Sequence, residues 1–230
     1  MLTLFQHPMS VSSRGVRLVL NEYDIETEMV EIYEWERRRE FLRLNPGGFV
    51  PVLLAEKGVA LSGAFVIFEY LDETRGSLQR TQRFFPNDAT FRAEVRRLMY
   101  WFLEKFDKEV TYPIVRERVY KQKMPKDLGG GSPDSSILRL ARSNIKPHLD
   151  YLNWLVNARD WVAGWSLSYA DFSAAAALSV LDYLGEINWM DYPAVCEWYM
   201  RMKSRPSFRS LLNDRILGFP PSARYMELDI

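Results

Sequence analysis

The chain has 230 residues and is 47% hydrophobic, enough for one sizeable core or two smaller ones. Thirty basic and thirty acidic residues cancel, so no global field recruits nucleic acid or an anionic membrane. A single cysteine, Cys196, excludes an internal disulfide, and two histidines, His7 and His148, cannot alone form a structural zinc site; no metal is expected. The apolar runs fall short of a membrane span and the first residues lead into a strand without a signal-peptide pattern, so the expectation is a soluble cytoplasmic protein.

Residues 2–5 form a first predicted strand, followed by a loop into a helix over 10–20 whose leading serines suit N-capping. A second strand is predicted over 27–32 and a short charged helix over 34–44. Within it Trp35 stands among Glu34, Glu36, Arg37, Arg38 and Arg39, the composition of a binding hot spot, or else it packs on its own domain. Asn45-Pro46-Gly47-Gly48 is a turn, and Val50-Pro51-Val52-Leu53-Leu54 an apolar strand whose proline belongs at its start, with a plausible cis bond. A short hairpin leads to a helix over 64–71, where Val66, Ile67, Tyr70 and Leu71 recur at helical spacing.

Asn45-Pro46, Val50-Pro51 and Tyr70-Leu71 resemble the glutathione S-transferases, which carry these pairs in a thioredoxin-like half. The resemblance implies an α/β N-terminal thioredoxin-like domain followed by an all-α C-terminal domain. In that family a glutamate-serine pair holds the γ-glutamyl end of glutathione; here Gly63 and Ala64 stand in its place. Ser10, Val50, Pro51, Gly63 and Ala64 are thus implied to form a vestigial glutathione site, with Ser10 the only catalytic candidate and no cofactor expected. Read from its own surroundings, Ser10 is a capping hydroxyl.

The domain reading places the thioredoxin-like domain at 1–75, a linker at 76–88, the helical domain at 89–216 and a docked extended tail at 217–230. A long helix is predicted over 88–123, with Leu98, Trp101, Phe102, Phe106 and Val110 on its apolar face and Pro113 kinking or splitting it. Beyond Pro113 the run is densely basic, with Arg116 and Arg118 on a solvated face or on a cleft wall for an extended peptide. A Gly-rich loop precedes a helix over 136–157 that Pro147 should perturb. Ser168 and Asp171 form a structural capping box ahead of a slim helix through Ala174–Ala177. The helix opened by Pro193 holds Cys196 as a small core or semi-buried hydrophobe, and the last helix is expected to end at Gly218 and Pro220-Pro221. Tyr225, Met226, Leu228 and Ile230 are expected to anchor the tail.

The segment LSYADFSAAAALSVLDYLGEINW and the ending YMELDI look like a cell-division subgroup of the same family. That resemblance implies a cytoplasmic homodimer, recruited to midcell, with no glutathione-dependent reaction. It also implies binding of the C-terminal tail of the tubulin-like GTPase FtsZ, altered filament curvature and bundling, and promotion of constriction. The dimer seam would set the N-terminal half of one subunit against the long helix of the other. The partner groove is placed near Trp35, Arg116, Arg118 and Tyr225, with Asp229 beyond it; neither nucleic acid nor membrane insertion is expected. Two other readings stay open: a glutathione-dependent transferase or thiol reductase using Ser10, and an RNA polymerase-binding protein of the stringent-starvation type.

Overall fold

The computed structural model describes residues 2–76 and 83–227. The N-terminal layer is a four-stranded mixed sheet, ordered β2-β1-β3-β4, from β1 (Leu2–Gln6), β2 (Thr27–Glu31), β3 (Val52–Leu54) and β4 (Ala60–Ser62). β1 runs parallel to β2, joined through helix α1 (Val11–Glu22), and antiparallel to β3, which pairs with β4 across the hairpin. Leu4 opposite Leu53 and Leu53 opposite Leu61 carry the apolar register through the sheet centre. Helix α3 (Ala64–Leu71) buries Ile67, Phe68 and Leu71, as its spacing requires.

The charged stretch after β2 is not one helix. Glu34–Glu36 makes a single 3-10 turn, Arg37 leaves it at φ 49, and α2 (Arg39–Leu44) starts afresh. Of the predicted linker at 76–88, residues 77–82 lie outside the described residues; beyond them Phe84 and Phe85 are buried, and their amides donate to the buried carboxylate of Asp72 at 3.0 and 3.1 Å.

Asp88 caps the long helical run, accepting from Thr90 N and Phe91 N at 2.9 Å. The run passes unbroken from α4 (Ala89–Tyr100) through π-wound Trp101–Thr111, α5 (Tyr112–Val115), π-wound Arg116–Tyr120 and α6 (Lys121–Lys123). Pro113 therefore does not split it. In an α-helix a proline strands the carbonyl four residues earlier; here Glu109 O accepts from Asn144 Nδ2 of helix α7 (Ser135–Ala158) at 3.1 Å, and wide π turns flank the ring. Pro147 likewise lies inside a continuous α7.

Helix α8 (Tyr169–Leu184) is buried along its whole length and forms the axis of the core, its alanines at 174–177 admitting α1 and α4 closely. Its start is fixed by Asp171, fully buried, which accepts from Ser168 N, Ser168 Oγ, Val162 N and Trp198 Nε1. Helix α9 (Pro193–Lys203) keeps Cys196 buried, and burial pushes its thiol up. The last helix, α10 (Arg209–Leu212), stops before Gly218, and the tail beyond contains a 3-10 turn over Ala223–Met226 instead of running fully extended. Leu228, Asp229 and Ile230 lie outside the described residues.

Candidate functional site

A cleft with two lobes separates the sheet domain from the long helical run. The inner lobe, about 410 Å³, opens where the start of α1, the turn into β3 and the start of α3 converge, and Ser10, Val50, Pro51, Gly63 and Ala64 all line it. Ser10 is the N-cap of α1: at φ −80 and ψ 122 its Oγ accepts from Ser13 N at 3.2 Å. The Val50-Pro51 bond is cis, and Gly63 N donates to Pro51 O at 2.9 Å. Gly63 sits at φ 91, in a left-handed region that strains any other residue, and gives α3 no side-chain cap. Gly63 and Ala64 thus bring neither a carboxylate nor a hydroxyl to the lobe.

Glu34 changes the inner lobe further. Its Oε1 accepts from Val50 N at 2.8 Å, so the backbone donor beside Pro51 is already satisfied from within. Burial raises the Glu34 carboxyl, against the lowering effect of that amide. Across the lobe the helical run presents Glu104, Asp107, Tyr112 and Tyr120. Burial pushes Asp107 up to about 7, opposed by a hydrogen bond from Thr111 Oγ1 and assisted by the charges of Glu104 and Glu34. The Tyr120 phenol is raised by burial and then by Glu34 and Asp107.

The outer lobe, about 310 Å³, shares Glu34, Phe49, Val50, Tyr112 and Tyr120 with the inner one and adds Trp35, Arg37 and Arg116. Trp35 is half-buried, its ring centre 5.0 Å from Tyr33 and 5.1 Å from Tyr120. It therefore packs on its own domain and across the domain boundary at once. Behind it, His7 Nδ1 accepts from Met9 N at 3.1 Å, with the Tyr120 hydroxyl at the same distance. Burial, then Lys123 and Arg14, lower His7 to about 3, so the ring is neutral. Arg37 lies against Gly48 so closely that a β-carbon there would collide with its guanidinium.

Of the proposed partner residues, Trp35 and Arg116 share the outer lobe, whereas two others do not join them. Arg118 turns away: its Nη1 donates to Leu184 O at 2.9 Å and to Glu186 Oε1 at 2.5 Å, tying the run to the end of α8. Residues 116 and 118 on one helix point to different faces, and the fully buried Glu117 between them pairs with Arg116 and Lys121. Tyr225 is buried and lines neither lobe; its hydroxyl donates to Leu211 O and accepts from Arg14 Nη1. Asp229 is outside the described residues. Sequence reasoning passed over Glu34 as the acceptor of the Val50 amide, and over Asp107, Tyr112 and Tyr120 as lining residues. Nothing local marks them, because Glu34 meets Val50 only once the strand is in place and the other three matter through the lobe that they share with the opposite domain.

Among the described residues no helix is long and apolar enough to cross a membrane, and no group of three or more His, Cys, Asp or Glu side chains could hold a metal ion. Residues 9–74 match the family profile for the glutathione S-transferase N-terminal domain, and residues 135–215 that for the glutathione S-transferase C-terminal domain. FtsZ-localized protein A of Caulobacter vibrioides is 40% identical over 230 residues, covering 99% of this chain and 97% of the relative. Among solved structures, one described as a glutathione S-transferase from Sinorhizobium meliloti 1021 superposes with a TM-score of 0.97 at 54% identity, covering both chains completely. FzlA from C. crescentus gives a TM-score of 0.91 at 39% identity, over 100% of this chain and 99% of that one.

Proposed function

The chain belongs to the glutathione S-transferase family, and on that premise we propose that it is an FtsZ-binding cell-division protein with no glutathione transferase activity. The observation that carries this reading is the whole-chain likeness to FtsZ-localized protein A, which spans both domains. The partner segment is the FtsZ C-terminal tail, and its seat is the outer lobe. Trp35 and Tyr120 offer aromatic anchors there, and Arg37 and Arg116 offer charge. A disordered tail must offset its ordering cost through a few such anchors. Binding at midcell would bend or bundle filaments and promote constriction.

The inner lobe supports the absence of glutathione chemistry. The carboxylate and hydroxyl grip is replaced by Gly63 and Ala64, and each lost charge-assisted contact costs about 1.5 to 3 kcal/mol. Val50 N is occupied by Glu34, and a net anionic tripeptide would meet the carboxylates of Glu34, Glu104 and Asp107. The protein acts as a homodimer. Val66 on α3 and Phe91 and Tyr100 on α4, all half-exposed or more, supply apolar area for a two-fold seam, which light scattering would test through a dimer mass.

Co-sedimentation with FtsZ polymer tests the central claim. The chain should pellet with intact FtsZ and stay in the supernatant with FtsZ lacking its C-terminal tail; equal behaviour with both would sink the tail assignment, and no pelleting would sink the FtsZ reading. The relative described as a glutathione S-transferase, at 54% identity, favours a second reading, an active transferase using Ser10. Turnover of a chromogenic electrophile with glutathione, abolished by Ser10→Ala, would establish it.

A further inference from the structure

The inner lobe carries a charge imbalance that the peptide contact does not use. Glu34 faces it from the 3-10 turn after β2, and Glu104 and Asp107 face it from the opposite helical run, while no lysine, arginine or histidine lines it. Among the described residues none of these three carboxylates is in an ion pair. By contrast Glu94, Glu117 and Glu186 in the same helical domain each hold two. Asp107 accepts only from Thr111 on its own helix, and Glu34 only from Val50 N. The three are not grouped closely enough to hold a metal ion.

Aromatic rings form part of the remaining wall, beside aliphatic and small residues such as Leu103, Val115 and Ala64. Phe49, Phe65, Tyr112 and Tyr120 line the same space, and ring faces attract cations. At about 410 Å³ the lobe has the size of a small-molecule site. We infer that the inner lobe binds a small organic cation, an amidinium, guanidinium or ammonium group on a flat or short apolar stem. The starts of α1 and α3 also face the lobe, but a helix terminus offers on the order of half a charge, and Ser10 already caps the first turn of α1. The carboxylates of Glu34 and Glu104, joined by Asp107 as it ionises, outweigh it. The site stands whether or not the outer lobe takes the FtsZ tail.

Proton linkage gives the inference a second readout. The titratable groups facing Asp107 are Glu104 on its own helix, Glu34 across the lobe, and the phenols of Tyr112 and Tyr120; His7, beside the Tyr120 hydroxyl, is neutral. With Asp107 near 7, a bound cation favours its ionised form, and binding at about pH 6.5 releases protons.

Calorimetric titration of the full chain with benzamidine, benzamide and benzoate, which differ mainly in charge, tests the inference. Benzamidine should bind at least about tenfold more tightly than the neutral and anionic probes, with proton release at about pH 6.5 that vanishes near pH 8.5. Asp107→Asn should weaken benzamidine binding by about tenfold, and Glu104→Gln, at an exposed position, by about threefold without disturbing the fold. Competition by agmatine would identify a small free guanidinium or ammonium compound as the source of the cation, and competition by a blocked arginine tetrapeptide a peptide side chain. Equal binding of the three probes, a preference for benzoate, competition by neither cation, or parent-like benzamidine binding by both variants would overturn the inference.

Discussion

The backbone amide of Val50 donates to Glu34 Oε1 at 2.8 Å, so the donor beside the cis Val50-Pro51 bond is consumed inside the protein. Neither the parent nor Glu34→Ala should be retained on immobilised glutathione, because Gly63 and Ala64 still lack the grip. The triple variant Glu34→Ala, Gly63→Glu, Ala64→Ser, in which the Val50 amide is freed, should be retained. It should also be less stable by about 1 kcal/mol or more, since position 63 sits at φ 91. Retention of the parent would contradict this account of the lobe.

Arg116 and Arg118 should separate experimentally. Arg116→Glu and Trp35→Glu, both in the outer lobe, should weaken FtsZ co-sedimentation roughly tenfold with unchanged circular dichroism. Arg118→Glu instead places a carboxylate against Glu186; it should cost about 1 to 2 kcal/mol of stability and leave FtsZ affinity within about twofold. Weakened binding by Arg118→Glu at parental stability would return that residue to the groove.

Arg14 is fully buried, with Nη1 donating to Tyr225 OH at 2.9 Å and to Ser179 Oγ at 3.0 Å, Nη2 reaching Asp214 at 3.5 Å and Nε donating to Pro8 O. The tail is therefore part of the core's charge balance. Tyr225→Phe should cost about 1 to 3 kcal/mol in chemical denaturation, because a buried charged donor loses an acceptor. A midpoint equal to the parent's would show that water or Ser179 replaces the phenol.

Asp107 sets a pH dependence with a definite sign. A carboxyl raised from its ordinary 3.8 to about 7 contributes stability that is fully present below about pH 4 and is lost as pH rises through about 7. Asp107→Asn should therefore raise thermal stability relative to the parent more at pH 8 than at pH 4.5. The cavity side of Asp107 is partly open, which limits the difference to about 1 kcal/mol. A pH-independent difference would mean that Asp107 is ionised throughout.

Asp171 serves four donors while fully buried, and Asp171→Ala should cost about 3 to 5 kcal/mol, visible as a large drop in melting temperature or as insoluble protein. A loss below about 1 kcal/mol would mean that the capping box is redundant with helix packing.

Features closed within one turn were legible along the chain: the Ser10 cap, the strand-opening Pro51 and the Ser168 and Asp171 box each join residues a few positions apart, and their spacing states their geometry. Family membership was legible for a related reason, since the matching pairs and the Gly63-Ala64 departure fall on the segments that build the fold. The effect of Pro113 was not, because the carbonyl it strands is satisfied by Asn144 from another helix. Nor was the fate of Arg118 and Tyr225, whose partners Glu186 and Arg14 lie far along the chain. A basic run or an apolar tail reads the same whether its side chains face solvent, a groove or a buried counter-charge. Only tertiary packing chose among these, helix against helix within the helical domain for Arg118 and across the domains for Tyr225, because desolvation and pairing depend on what the opposite surface presents.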